Sequence, residues 1–192
     1  VESITEATDG VTLRTSKGAL RARTMINCSG LHSDRVAKLA GRQVKARIMP
    51  FRGEYYELTP SARSLVKHLV YPVPDPRFPF LGVHFTRMID GEIHAGPNAV
   101  VALAREGYTW RVANRIDLKE MAFDKGSWIL AKKYWRTGAG EMVRSLSKAA
   151  FVRALQNLGP AVTANDLIKS KAGIRAQAIR PDGTLVDDFE FA

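Results

Sequence analysis

The chain has 192 residues, 45 % of them hydrophobic and 25 % charged, the balance of an ordinary globular fold of one domain or of large parts of two. Lys and Arg number 29 against 19 Asp and Glu, a net charge of +10, so an anionic counterpart is expected: nucleic acid, an anionic membrane surface, or an anionic substrate and cofactor. No apolar run reaches the length of a membrane span, and Cys28 as the one cysteine excludes an internal disulfide and fits a reducing compartment. The cations are scattered, Lys132-Lys133 being the densest pair in the helical region. No zinc-ligand spacing or RNA-binding signature accompanies them, so nucleic acid is the weakest of the three and is not expected as a partner.

In chain order, residues 10 to 27 predict a meander, with Val11, Leu13 and Leu20 alternating with polar residues and a turn at Ser16-Lys17-Gly18. Met25-Ile26-Asn27 predicts the end of an apolar strand running into Cys28-Ser29-Gly30, and Leu31 to Ala40 a short helix stopped at Gly41. Strand, small-residue turn and helix is a geometry that lets backbone N–H groups approach a phosphate or a flavin ring; a plain tight turn reads the same way. Arg47 to Leu58 predicts a strand, and Gly53 inside it a bulge or a close backbone approach. Arg52 beside it could pair with an anion or with Glu54.

Tyr71 to Tyr108 is the stretch densest in site-forming residues, with five prolines and four glycines around His84, Arg87, His94 and Asn98. Pro72, Pro74, Pro76 and Pro79 exclude a helix. Leu81 to Thr86 and Glu92 to Ala95 predict a hairpin turning at Asp90-Gly91, a stiff and cationic wall for a small anion. From Asn114 to Gly159 three helical segments are expected: Ile116, Met121 and Phe123; Ser127 to Tyr134; and Met142, Leu146 and Leu155. Their apolar stripes read as core faces. Leu167 to Ala178 returns to strand, turns at Asp182-Gly183 and continues from Thr184 to Phe191. Arg175 is a solvent-facing strand residue or a clamp for a carboxylate. There is no G-x-G-x-x-G, P-loop or G-x-S-x-G, and a metal site on His84 and His94 lacks a third partner in the spacing, so no metal is expected.

INCSGLHSDRVAKLAG, IMPFRGEYYEL, the whole of YPVPDPRFPFLGVHFTRMIDGEIHAGPNAVVALAREGY, and KAGIRAQAIRPDGTLVDDFEF, in this order, together resemble the L-2-hydroxyglutarate oxidase/dehydrogenase family of the D-amino-acid-oxidase-like FAD-dependent superfamily. The resemblance implies an α+β chain. Residues 1–45 would be part of an FAD-binding domain and 46–178 a substrate domain, a mixed or antiparallel sheet with helices on one side. Residues 179–192 would begin the return to the FAD-binding domain. It further implies oxidation of L-2-hydroxyglutarate to 2-oxoglutarate with hydride passing to FAD, and oxygen or a quinone as the electron acceptor. Localisation would be cytoplasmic with peripheral contact to the inner membrane. In site terms it implies Asn27, Cys28, Ser29, Gly30, Arg52 and Gly53 beside the cofactor, and Arg175 on the substrate carboxylate. His84 is then the choice for the base and Arg87 for the second carboxylate, with Tyr56 and Asn98 as further contacts or core and turn residues. Another 2-hydroxy acid, or glycerol 3-phosphate, is the sibling reading, and a non-catalytic basic binding module the different class. A start at Val1, an end in a strand at Phe191-Ala192 and the absence of a Gly-rich βαβ unit lead us to expect a piece of a longer protein. Purified alone it should be colourless.

Overall fold

The alternation around Val11 does form a meander. β1 (Ser3–Ala7), β2 (Gly10–Thr15) and β3 (Gly18–Ala22) pair antiparallel in that order, with Ile4 opposite Leu13 and Leu13 opposite Leu20. Ile4 and Val11 are buried, but β3 is exposed along its whole length, Leu20 included. The computed structural model describes residues 1–74 and 82–188. Pro76, Pro79 and the expected strand start at Leu81 lie outside the described residues, as does Phe191.

Met25 to Asn27 do not end a strand. Asn27 instead accepts the amide (3.2 Å) and hydroxyl (2.7 Å) of Ser29 and donates to the Ser33 carbonyl (2.8 Å). Local side-chain bonds of this kind compete with a ladder for the backbone. The turn leads through a short 3-10 segment, Gly30–His32, into α1 (Ser33–Leu39).

β4 (Arg47–Leu58) spans the molecule and organises everything after it. β5 (His84–Arg87) and β6 (Ile93–Val101) form the expected hairpin, and β6 pairs along one side of β4. Opposite Tyr55 the register slips from Glu54–Asn98 to Tyr56–Ala95, so β6 carries one extra residue there. The other side of β4 is shared: the region read as one strand is two, β7 (Leu167–Lys169) on Tyr56–Leu58 and β8 (Gly173–Ile179) on Arg47–Gly53. All these pairings are antiparallel. The Asp182-Gly183 turn forms, with Thr184 N–H on the Asp182 carboxylate at 2.9 Å, and among the described residues the chain then makes a bridge from Leu185 to Ile179 rather than a strand.

Side chains on one strand alternate between faces, so β4 builds two cores on opposite faces. Tyr56 and Leu58 join Phe85, Ile93 and Ala95 against Phe151, Val152 and Leu155. Met49 and Phe51 join Ile179 against Leu130. Each fully buried Leu, Ile or Phe contributes on the order of 1.5–3 kcal/mol.

Three side chains cap the helices: Asn114 for α2 (Arg115–Ala122), Asp124 for α3 (Lys125–Leu146) and Ser147 for α4 (Lys148–Gln156). The Ser147 cap cuts the expected third segment in two. The reading of the stripes as core faces needs correction. Leu130 on α3 and Phe151, Val152 and Leu155 on α4 are buried, while Ile116, Phe123, Met142 and Leu146 are exposed. The start of α3 packs on the sheet through Leu130, and farther along the helix meets β6 through Glu141, which takes the Ala99 amide at 3.0 Å.

Candidate active site

Register decides which candidates meet. Arg175 stands opposite Phe51, Glu57 opposite His94, and His94 opposite Thr86, two residues from His84. Odd-numbered β4 residues therefore share a face with Arg175, His94, Thr86 and His84. Arg175 and His84 are still three strands and about four residues apart, roughly 19 Å between Cα atoms at ordinary sheet spacings. They can address different ends of a ligand but not one carboxylate.

His84 places Nδ1 3.1 Å from the Gly82 carbonyl and its ring 4.8 Å from that of Tyr71. A carbonyl only accepts, so Nδ1 carries the proton of the neutral ring and Nε2 keeps its lone pair. Tyr55 lies between the two ends of this face, and burial pushes its phenol up, so it stays a neutral donor. The sequence reading chose its neighbour. Tyr56 points to the opposite face, stacks on Phe151 at 4.8 Å, and is also pushed up, by burial and by Glu54.

Three other candidates lie away from this face. Arg87, three residues after His84, pairs with Ile93 on the Tyr56 side. Asn98 is buried and structural: its carbonyl oxygen accepts the Glu54 amide at 2.9 Å and its Nδ2 donates to the Glu54 carboxylate at 3.3 Å. Arg52 is 0 % exposed, held by Glu54 at 3.1 Å, by the Gly107 carbonyl at 3.5 Å and over the Trp110 ring at 4.2 Å. Ser145 and Trp110 complete the network, Trp110 Nε1 donating to Ser145 at 3.2 Å and Ser145 to Glu54 at 2.5 Å.

The two stretches expected beside a flavin differ in their fit. At Gly53 a Cβ would sit 2.8 Å from Pro97 Cβ, so the glycine accommodates its own chain. Arg52 is enclosed and offers no surface to a ring, whereas Gly53 is half-buried. The Asn27–Gly30 turn is open: Cys28, Ser29 and Gly30 are exposed, Gly30 has φ 52°, and nothing lies within 4 Å of its Cβ position. Such a turn fits a flat cofactor laid on backbone. The Gly30–His32 segment packs against β4 and β8, which puts the turn beside the strand of Arg175.

A buried charge cluster that the sequence reading missed locks the turn to the sheet. Arg105 is buried and chelates Asp34 (Nη2–Oδ2 2.8 Å), also donating to the Leu31 carbonyl (2.6 Å) and Glu120 (3.1 Å). Its own amide donates to Asp117 at 2.7 Å, and Arg35 joins Asp117 and Glu120. Burial alone would raise Asp34; the bonds and charge of Arg105, with the Ile48 and Arg35 amides, outweigh it and hold the carboxyl below its ordinary range. Glu120 is lowered in the same way, mainly by Arg35. Arg105 and Asp34 are 71 residues apart, so spacing carries no signal of the pair.

Among the described residues, Glu57, Glu92 and His94 also offer ligand atoms within 4.8 Å of one another, a group that does not include His84. A cleft of about 420 Å³ between Tyr108–Trp110 and Lys169–Ala172 reaches Glu54 on the Tyr56 side. Its lining has no histidine, so it lacks a group that titrates near neutrality without a shift. None of the described helices is long and apolar enough to cross a membrane.

Comparison with known proteins agrees with this architecture. L-2-hydroxyglutarate dehydrogenase of Indibacter alkaliphilus is 51 % identical over 178 residues, 92 % of this chain and 45 % of that protein. The protein of the same name from Salmonella houtenae is 47 % identical over 192 residues, 100 % of this chain and 46 % of that one. The chain thus spans about half the length of the curated relatives it matches. Dithionite-reduced L-α-glycerophosphate oxidase from Mycoplasma pneumoniae with FAD bound shares the fold, with a TM-score of 0.62 at 18 % identity over 93 % of this chain and 38 % of that chain. The family described as FAD dependent oxidoreductase (DAO) matches residues 1–190, and the chain belongs to it.

Proposed function

We propose that this chain is the substrate-side portion of an enzyme that oxidises L-2-hydroxyglutarate to 2-oxoglutarate. Residues 1–45 contribute part of the FAD-binding unit, 46–178 the substrate domain, and 179–192 the start of the return to the cofactor. The observation that carries the reading is the shared face of His84 and Arg175, with Tyr55 between them. FAD, when bound against the Asn27–Gly30 turn, supplies the acceptor for the hydride and is reoxidised by oxygen or a quinone-type acceptor.

The chain's own groups meet the remaining demands. Arg175 pairs through its planar fork with the carboxylate at the end of the substrate remote from His84. His84 Nε2 takes the hydroxyl proton as hydride leaves that carbon, and the imidazolium formed is held by the Gly82 carbonyl. Tyr55 donates a neutral hydrogen bond to the substrate between them. Arg87 was the sequence choice for the second carboxylate; a strand residue turned to the opposite face serves it poorly, and Tyr55 takes that place in the proposal. The enzyme works in the cytoplasm, in peripheral contact with the inner membrane.

Steady-state kinetics of the complete gene product test this reading. Arg175→Ala should raise KM for L-2-hydroxyglutarate and His84→Ala should lower kcat, both with the bound-flavin spectrum intact. An unchanged KM in Arg175→Ala, or a preference for glycerol 3-phosphate, would sink it.

A further inference from the structure

Glu57, Glu92 and His94 stand on the face proposed for the substrate, and the proposed chemistry uses none of them. Glu57 on β4 lies directly opposite His94 on β6, and Glu92 comes two residues before His94, at the base of the hairpin. His94 is in turn opposite Thr86, two residues from His84. The three side chains are 30 %, 37 % and 25 % exposed, so the group is neither core nor freely solvated. His94 Nε2 is 3.7 Å from Glu57 Oε1 and 3.7 Å from Glu92 Oε2.

Both carboxylates are held from outside the group. Ser170 donates its hydroxyl to Glu57, and its own amide is fixed on the Tyr55 carbonyl at 3.0 Å. Arg63 reaches Glu92 Oε1 at 3.4 Å, while Oε2 is the oxygen turned to His94. The Glu92 amide donates to Asp90 Oδ1 at 3.0 Å, which ties it to the hairpin turn. Outer partners of this kind orient the ligands of a metal.

An imidazolium bridging two carboxylates should close to charge-assisted hydrogen bonds of about 2.7–2.9 Å. Both contacts of His94 are longer than that. Ligand atoms about 2.0–2.2 Å from a tetrahedral ion lie about 3.3–3.6 Å apart, much nearer to the spacing found.

We infer that Glu57, Glu92 and His94 bind one divalent transition-metal ion of the Zn²⁺ class, with a further coordination position left to water or a carboxylate. The imidazole separates this group from an ordinary acidic patch: one ring nitrogen with two carboxylate oxygens suits Zn²⁺ better than Mg²⁺ or Ca²⁺, which prefer oxygen alone. Charge points the same way. Two acids this close to His84 would repel a dicarboxylate, and a bound dication reverses the sign there. That last argument rests on the substrate reading above, whereas the ion site rests on the three side chains. The ligands and the groups that orient them all belong to this chain, so the site does not depend on what lies over the sheet.

The test is calorimetric titration with ZnCl₂ of the complete gene product, dialysed against a chelator and still holding its flavin. Saturation at one zinc per chain is expected, with Mn²⁺ weaker. Glu57→Gln, His94→Ala and Ser170→Ala should each weaken zinc on the order of tenfold or more, with the flavin spectrum and the metal-free melting temperature held. Zinc should raise the melting temperature of the unmodified protein and leave that of Glu57→Gln/His94→Ala unmoved. Absence of saturable zinc uptake would overturn the inference, as would one ion per chain retained by the double variant, the mark of adventitious surface binding. Zinc bound as expected with KM unchanged in Arg175→Ala would uphold the ion site and sink the substrate reading. Failed zinc binding with KM raised in Arg175→Ala would do the reverse.

Discussion

Arg52 and Arg175 stand on adjacent strands one register step apart, since Arg52 faces Ile174 and Arg175 faces Phe51. That step sends them to opposite faces. Arg52 is enclosed between Glu54 and Trp110, and Arg175 is exposed beside the turn that fits the cofactor. The same side chain is thus enclosed on one face and exposed on the other, where the proposal gives it the substrate, with strand parity deciding which. Tyr55 and Tyr56 repeat the lesson one turn of the pleat along.

The largest effect should come from the anchor behind this comparison. Arg105→Ala leaves Asp34 buried without its cation and should cost about 3–5 kcal/mol, read as a drop in urea midpoint. FAD should be lost with it, because the Asn27–Gly30 turn comes loose. A variant of unchanged stability would show that the cluster does not hold the turn.

Next is the arginine pair itself. Arg52→Ala should lower stability by about 3 kcal/mol with KM little changed, and Arg175→Ala should raise KM by the equivalent of about 2–4 kcal/mol with the melting temperature held. Exchanged outcomes would invert the assignment of the faces. The tyrosines sharpen it further: Tyr56→Ala should destabilise by about 3 kcal/mol through its lost packing on Phe151, whereas Tyr55→Ala should act mainly on kinetics. The smallest effect is on pH. Asp34 and Glu120 are lowered on folding, so their contribution is complete above the ordinary carboxylate range and is lost as pH falls from there through their folded values. Urea midpoints should fall on the acid side, and less steeply in Asp34→Asn/Arg105→Gln, where the linked carboxylate is gone.

Local signals carried much of the fold. The turns at Asp90-Gly91 and Asp182-Gly183, the strand Arg47–Leu58 and the helical region could be read because glycine, alternation and helical spacing act over a few residues. What escaped depends on distance or parity. Arg105 meets partners far back in the chain, and no spacing rule links them. Asn98 belongs with Glu54 because β6 holds an extra residue, and Tyr56 could not be told from Tyr55 before the core was known. The exposed stripes of α2 and α3 kept a helical period, and periodicity cannot say whether a face meets the sheet or the outside. Of the proposed site, His84 and Arg175 were named from the sequence, their common face was not, and for Arg52 the pairing with Glu54 was one of the two options the sequence offered.

Glu141 has a consequence beyond its helix. Beyond the short reach of β5, the amide of Ala99 would offer a neighbouring polypeptide the start of a new strand, the usual route to edge-to-edge aggregation. A carboxylate seated on that amide blocks strand addition while its charge stays off the outer surface of α3. Replacing it by alanine should promote self-association through the sheet before it disturbs any catalytic group.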